Sequence, residues 1–230
     1  MMKKRFVLIT VILISIPIIS WSQSILQPNY GLKSHETLEI KKIETTSEAT
    51  SFYMSIENRR QDGFFCADKN IFMIYPDGYR SKLVSASSIP VCPDTYKFKF
   101  IGEKLDFILV FPALKAGTEW VDLVEECSEN CFSFYGVTLD VDLNKWLDDV
   151  FYRASNGKPA ENIVLFKSVL DSIASQDLGI EGLLYINLIN TTVEEEDNVN
   201  TIVWYKRLVS SNAPRFSDYL KYLNDRGIKY

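Results

Sequence analysis

The apolar residues change their spacing near Asp142, and this shift limits the folds open to the chain more than any motif does. From Thr37 to Leu143 they recur at every second position, the period at which a strand sends its side chains to one face. Phe52, Met54 and Ile56 alternate with Tyr53 and Ser55, and Tyr96, Phe98 and Phe100 alternate with Lys97 and Lys99. Leu105, Phe107, Leu109 and Phe111 repeat the pattern until Pro112 closes it. Pro76-Asp77-Gly78 offers a turn between the run Ile71, Met73, Tyr75 and a return strand from Tyr79 to Ser85. Trp120 to Cys127 and Cys131 to Val141 bring the expectation to about seven to nine strands, with no helical stretch among them.

After Asp142 the period is that of a helix. Leu143, Trp146, Leu147, Val150, Phe151 and Ala154 fall on one helical face, which Asn156-Gly157 ends. Pro159 then stands where a helix tolerates proline, in its first turn, ahead of the stripe Ile163, Phe166, Val169, Leu170 and Ile173. A third helix, over about 178–193, is apolar nearly all round and is expected at the centre of the helical half. A fourth starts near Asn198, and a last one ends at Gly227.

Short strands punctuated by Gly, Pro and Asn/Asp turns predict an immunoglobulin-like antiparallel β-sandwich over 37–142. The helices predict an all-α domain over 143–230. Ile163 and Phe166 can be laid over Ile202 and Tyr205, and this internal match resembles the second helix of tetratricopeptide-type repeats, whose helix pairs stack into an array.

The first residues carry an address. Lys3, Lys4 and Arg5 precede a run from Phe6 to Ile19 that is apolar apart from Thr10, Ser15 and Pro17. The run is too short for a bilayer-spanning helix, and Ser20-Trp21-Ser22 has small residues where a signal peptidase reads. A signal peptide over 1–22 is therefore expected, followed by a flexible segment over 23–36 and no transmembrane span after cleavage. The destination is the periplasm, the cell surface or the medium. Cys66, Cys92, Cys127 and Cys131, an even number in an oxidising compartment, are expected to form two disulfides. Cys127 and Cys131 flank a short Ser-Glu-Asn turn, which leaves Cys66 to Cys92. A four-thiolate zinc site is the competing reading, but no two cysteines have the spacing of a zinc knuckle.

The stretches Phe64-Phe65-Cys66-Ala67-Asp68-Lys69-Asn70, Ile89-Pro90-Val91-Cys92-Pro93-Asp94 and Cys127-Ser128-Glu129-Asn130-Cys131-Phe132-Ser133-Phe134-Tyr135-Gly136 resemble a recurring type of uncharacterised exported bacterial protein. In that type an immunoglobulin-like sandwich precedes a short helical-repeat domain. The resemblance implies the same fold and no particular activity.

The residues offer little for catalysis. The net charge of −5 becomes −8 when the three leader cations are removed, and no Lys/Arg stripe exists to neutralise nucleic-acid phosphates. The single histidine, His35, lies in a polar stretch ahead of the first expected strand. Glu125, Glu126 and Glu129, and Asp140 with Asp142, are the only clustered acids with general acid–base potential, and solvated strand ends or a helix N-terminus explain them better. Glu194-Glu195-Glu196-Asp197 lacks the alternating oxygen ligands and the glycine of a calcium loop. No metal, cofactor or catalytic residue is therefore assigned. Phe64, Phe65, Trp120, Phe132, Phe134 and Tyr135 form the candidate binding surface, with sandwich core as the competing destination. The expected function is a non-enzymatic binding or scaffolding module for a protein or peptide. The alternative is a carbohydrate-binding or glycan-processing accessory that would use the same aromatics and carboxylates.

Overall fold

The computed structural model describes residues 23–173, 176–211 and 213–230. The leader expected over 1–22 lies outside the described residues. The strands, in chain order, are β1 (Gln23–Leu26), β2 (Leu32–Lys33), β3 (Leu38–Thr45), β4 (Ala49–Glu57), β5 (Phe64–Phe65), β6 (Ile71–Ile74), β7 (Arg80–Lys82), β8 (Ser85–Ser87), β9 (Tyr96–Lys97), β10 (Lys104–Pro112), β11 (Trp120–Glu125) and β12 (Ser133–Thr138). The helices are α1 (Val141–Asn156), α2 (Pro159–Ser172), α3 (Glu181–Glu194), α4 (Asn198–Ser210) and α5 (Phe216–Asp225). Among the described residues no helix is long and apolar enough to cross a membrane.

The period-two runs become buried faces. β4 and β10 pair antiparallel along their whole length, from Lys104 opposite Glu57 to Pro112 opposite Ala49. Their inward residues Phe52, Met54, Leu105, Phe107, Leu109 and Phe111 are all buried. One five-stranded sheet runs β1-β3-β4-β10-β8 and a second runs β2-β12-β11-β6-β7, while β5 and β9 form a separate two-stranded ribbon. Phe52 and Phe107 of the first sheet share one core with Met73, Leu123 and Phe134 of the second.

Two expectations are corrected. The twelve strands among the described residues exceed the seven to nine expected because β2, β5 and β9 have only two residues each, too few to show a period. Residues 23–36, expected to be flexible, carry two edge strands: β1 pairs with β3, Gln23 opposite Thr45, and β2 pairs with β12. Their partners are remote in sequence, so local composition gives no sign of the pairing. The return after Pro76-Asp77-Gly78 also divides, since β7 pairs with β6 whereas β8 crosses to β10 of the other sheet.

Five helices follow the strands. Asp140 caps α1 by accepting from the Leu143 amide at 2.7 Å, so the helix starts ahead of its first apolar stripe residue. Pro159 is the first residue of α2, and Gly227, at φ +81°, follows α5 with its amide on the Asn224 carbonyl. α3, the most apolar by sequence, packs on α2, α4 and α5 and buries Leu184, Ile186, Leu188 and Ile189.

The strand and helix halves join through specific polar and backbone contacts. Asn144 donates to the Thr138 carbonyl at 3.0 Å and accepts from the Asn29 amide at 2.7 Å. The Trp120 indole donates to the Asp177 carbonyl at 3.1 Å. Gly136 meets Gly179 backbone to backbone, and the Tyr219 ring fills the space beside Gly182 and Gly31. The buried Asp122 carboxylate accepts from the Gly136 amide at 2.8 Å and from Arg215 Nε at 2.7 Å.

Glu181 opens α3 with one carboxylate oxygen on the Leu178 amide and the other buried with no hydrogen-bond partner among the described residues. Burial raises its pKa above the ordinary value near 4.5. A carboxyl raised in this way stabilises the fold below its unfolded pKa, and that contribution is lost as the pH climbs through the folded value. Glu181→Gln is therefore expected to raise the melting temperature at pH 7 by about 2–4 °C and to leave it nearly unchanged at pH 4. Thermal denaturation of both proteins at both pH values checks this.

Candidate functional site

The end of the strand half where β4 finishes and β10 begins is built from two loops that hold each other in place. Asn58 organises them. Its backbone carbonyl accepts from the Gly102 amide at 2.7 Å, its side-chain amide donates to the Phe100 carbonyl at 2.9 Å, and its Oδ1 accepts from the Arg60 amide at 3.1 Å. The same side chain occupies the space that a Cβ on Gly63 would need. Gly63 then accepts from the Phe98 amide, and β5 pairs with β9, Phe64 opposite Lys97 and Phe65 opposite Tyr96. The Cys66–Cys92 disulfide, with its α-carbons 5.4 Å apart, pins the next segment, and Cys127–Cys131 closes the neighbouring turn. These are the two pairings expected from the sequence.

The turn from Lys99 to Glu103 closes on its own side chains. The Glu103 carboxylate accepts from the Tyr96 hydroxyl at 2.7 Å and from the Lys99 amide. The bond from the Lys99 amide, and then that from Tyr96, holds its pKa below the usual range. Gly102 takes φ +90°, the left-handed geometry that lets the turn reverse at its apex. The apex presents Phe100 and Ile101 to solvent, each 63% exposed, and Phe64 is 68% exposed beside a cleft of about 660 Å³ lined by Asp62, Gly63, Thr95, Lys97 and Phe98.

Of the six aromatics expected to form one surface, only Phe64 stands free. Phe65 is half-buried with its ring 5.9 Å from that of Phe107, and Tyr135 is half-buried beneath the Arg215 guanidinium. Trp120, Phe132 and Phe134 are buried, which corrects their assignment to a binding surface. Trp120 is covered by the segment before α3, with Gly179 against its ring, while Phe132 and Phe134 point into the shared core, where Phe134 meets Tyr30 edge to face. Phe100 and Ile101 were missed. Phe100 continues the alternation of Tyr96 and Phe98, and Phe98 is buried, but the turn that reverses at Gly102 carries Phe100 outward, so the alternation stops marking burial after Phe98. An adjacent apolar pair followed by glycine, between lysines, was the available signal.

The carboxylates serve the fold. Glu125 accepts from the Asp68 amide at 2.8 Å and the Phe132 amide at 3.2 Å, and burial raises its pKa against these bonds. Glu126 pairs with Arg80 at 2.5 Å, and Asp142 with Lys145 at 3.8 Å. Asp197 caps α4 by accepting from the Asn200 amide. His35 Nδ1 lies 2.9 Å from the Ser34 hydroxyl, and burial, then the nearby Arg60 charge, lowers its pKa. Among the described residues no group of three or more His, Cys, Asp or Glu side chains is placed to hold a metal ion.

No family model matches the chain, and neither a curated protein nor a solved structure matches it.

Proposed function

We propose that the protein is an exported, non-enzymatic binding or scaffolding module, an immunoglobulin-like sandwich followed by a tetratricopeptide-like helical array, that engages another protein in the cell envelope. The observation that carries this reading is the division of labour among its side chains. Glu125, Glu126, Asp140 and Asp142 are each engaged in amide bonds, ion pairs or a helix cap, while large apolar side chains are left at the surface. On the helices these include Val164 of α2 and, one turn apart on α4, Val199 and Val203. Exposed apolar side chains on an array of helices fit an interaction surface. The two disulfides support export, since such bonds persist in oxidising compartments.

Cross-linking in the intact cell envelope, followed by affinity recovery and mass spectrometry, tests the proposal. A reproducible protein partner is expected with the wild-type chain. The double variant Val199→Asp, Val203→Asp should recover at most about a tenth as much of it, a loss of hot-spot size. Undiminished recovery by the variant overturns the helical surface. Recovery of no protein, under conditions that capture a control complex, overturns the partner itself and leaves a glycan as the ligand to test.

A further inference from the structure

We infer that the Phe100–Ile101 turn, with Phe64 beside it, is a contact for the surface of an anionic lipid bilayer. Three large apolar side chains stand more than three-fifths exposed at one end of the molecule, Phe100 and Ile101 on the turn and Phe64 in β5, on two segments that Asn58 ties together. The turn is fixed before any contact, by the bonds to Glu103 and Asn58, so little further ordering opposes its insertion. Phe and Ile at the apex suit the boundary between headgroups and acyl chains, where buried apolar area sets the binding strength.

The charges around the apex decide which surface it fits. Arg60, Lys97 and Lys99 are exposed there, and among the described residues none of them forms an ion pair. Arg59, in the same loops, and Lys104, at the start of β10, share Glu57, and Arg59 also approaches Glu36. Of the acids in these loops, Glu103 is turned inward onto the Lys99 amide and the Tyr96 hydroxyl, and Asp62 lines the cleft beside Phe64. The apex is thus apolar with free cations beside it, although the chain as a whole carries −5. Anionic headgroups attract such cations, with each basic residue near the surface strengthening binding about fivefold.

The direction of the chain agrees with this seating. The helices start beyond Thr138, where the Leu139 carbonyl accepts from the Gln23 side chain, and Gln23 lies opposite Thr45. Thr45 in turn pairs with Thr50, at the end of β4 away from Glu57. The helices therefore leave from the end opposite the apex. Bilayer contact at the apex does not depend on the identity of any protein partner.

Co-sedimentation of the full chain with phosphatidylcholine vesicles, with and without about 30% phosphatidylglycerol, is the test. Binding is expected to the anionic vesicles, to weaken as salt rises from 50 to about 300 mM, and to be at least tenfold weaker on phosphatidylcholine alone. Phe100→Ser with Ile101→Ser should weaken anionic binding about tenfold or more at an unchanged melting temperature. Lys97→Glu with Lys99→Glu leaves the apolar apex intact and should have a similar effect at low salt, so it decides the matter if the first variant folds poorly. No wild-type binding, equal binding to both vesicle types, or loss in neither variant would overturn the inference. Capture of a soluble protein or sugar through the apex without vesicle binding would do the same.

Discussion

Gly136→Ala is expected to cost about 4 kcal/mol or more and to lower the melting temperature by roughly 8–16 °C. Gly136 sits at φ +64°, which alone disfavours a side chain by about 1 kcal/mol. The greater part of the cost is steric. A Cβ at Gly136 would lie 2.0 Å from the Gly179 carbonyl oxygen and 2.9 Å from its carbon, so backbone rather than a flexible side chain must yield. Gly179 cannot retreat freely, because a Trp120 ring held by the Asp177 carbonyl stands behind it. Gly78 provides the comparison. It takes φ +80° with nothing within 4 Å of the place a Cβ would occupy, so Gly78→Ala should show the conformational cost alone, about 1 kcal/mol. Denaturant unfolding of both variants separates the steric cost from the conformational one, and equal losses would mean that the glycine contact does not join the halves in solution.

Arg215→Ala is expected to cost about 3 kcal/mol at neutral pH, with partial exposure of Arg215 keeping the loss at the low end for a broken buried pair. The Asp122 side chain is only 2% exposed, and without Arg215 its charge would retain the Gly136 amide as its hydrogen bond. Asp122→Asn should be milder, about 1–2 kcal/mol, because it removes the charge together with the ion pair. Arg215 also takes a left-handed backbone, φ +58°, ahead of α5, a conformation maintained while its guanidinium reaches Asp122. Burial raises the Asp122 pKa against the opposing pull of the Gly136 amide and Arg215. Stability from this carboxyl is accordingly full below its unfolded value near 3.8 and falls as the pH passes the folded value. Removing Arg215 raises the folded value further, so the deficit of Arg215→Ala should be large at pH 7 and should shrink toward pH 4. A deficit of the same size across that range would show that lost packing, rather than the stranded charge, is responsible.

The parts of the fold that sequence revealed are those governed by neighbours along the chain. Phe52, Met54 and Ile56 announce a strand because burial repeats every second residue, and Pro159 marks a helix start because proline geometry is local. The cysteine pairing was legible for a similar reason, since the turn between Cys127 and Cys131 brings their ends together. Trp120 was not legible as a buried residue, because it is covered by Asp177 and Gly179, more than fifty residues later in the chain. Phe100 failed in the opposite direction: the alternation persisted one step beyond Phe98, the last residue of the run to be buried. No local signal marked Arg215 as the partner of Asp122, because their meeting depends on how the two halves pack.

The Asp122–Arg215 pair has a consequence for the order in which the molecule can be completed. Its members are 93 residues apart, and a nascent chain emerging from its N-terminus presents the aspartate long before the arginine. During that interval the second sheet has its strands but lacks the counter-charge for Asp122, the loop that covers Trp120 and the Tyr219 ring that fills the notch at Gly31. Chains interrupted before Arg215 would therefore leave the Asp122 carboxylate without its counter-charge and the notch at Gly31 unfilled. The strand half thus reaches its finished packing only once α5 has been made.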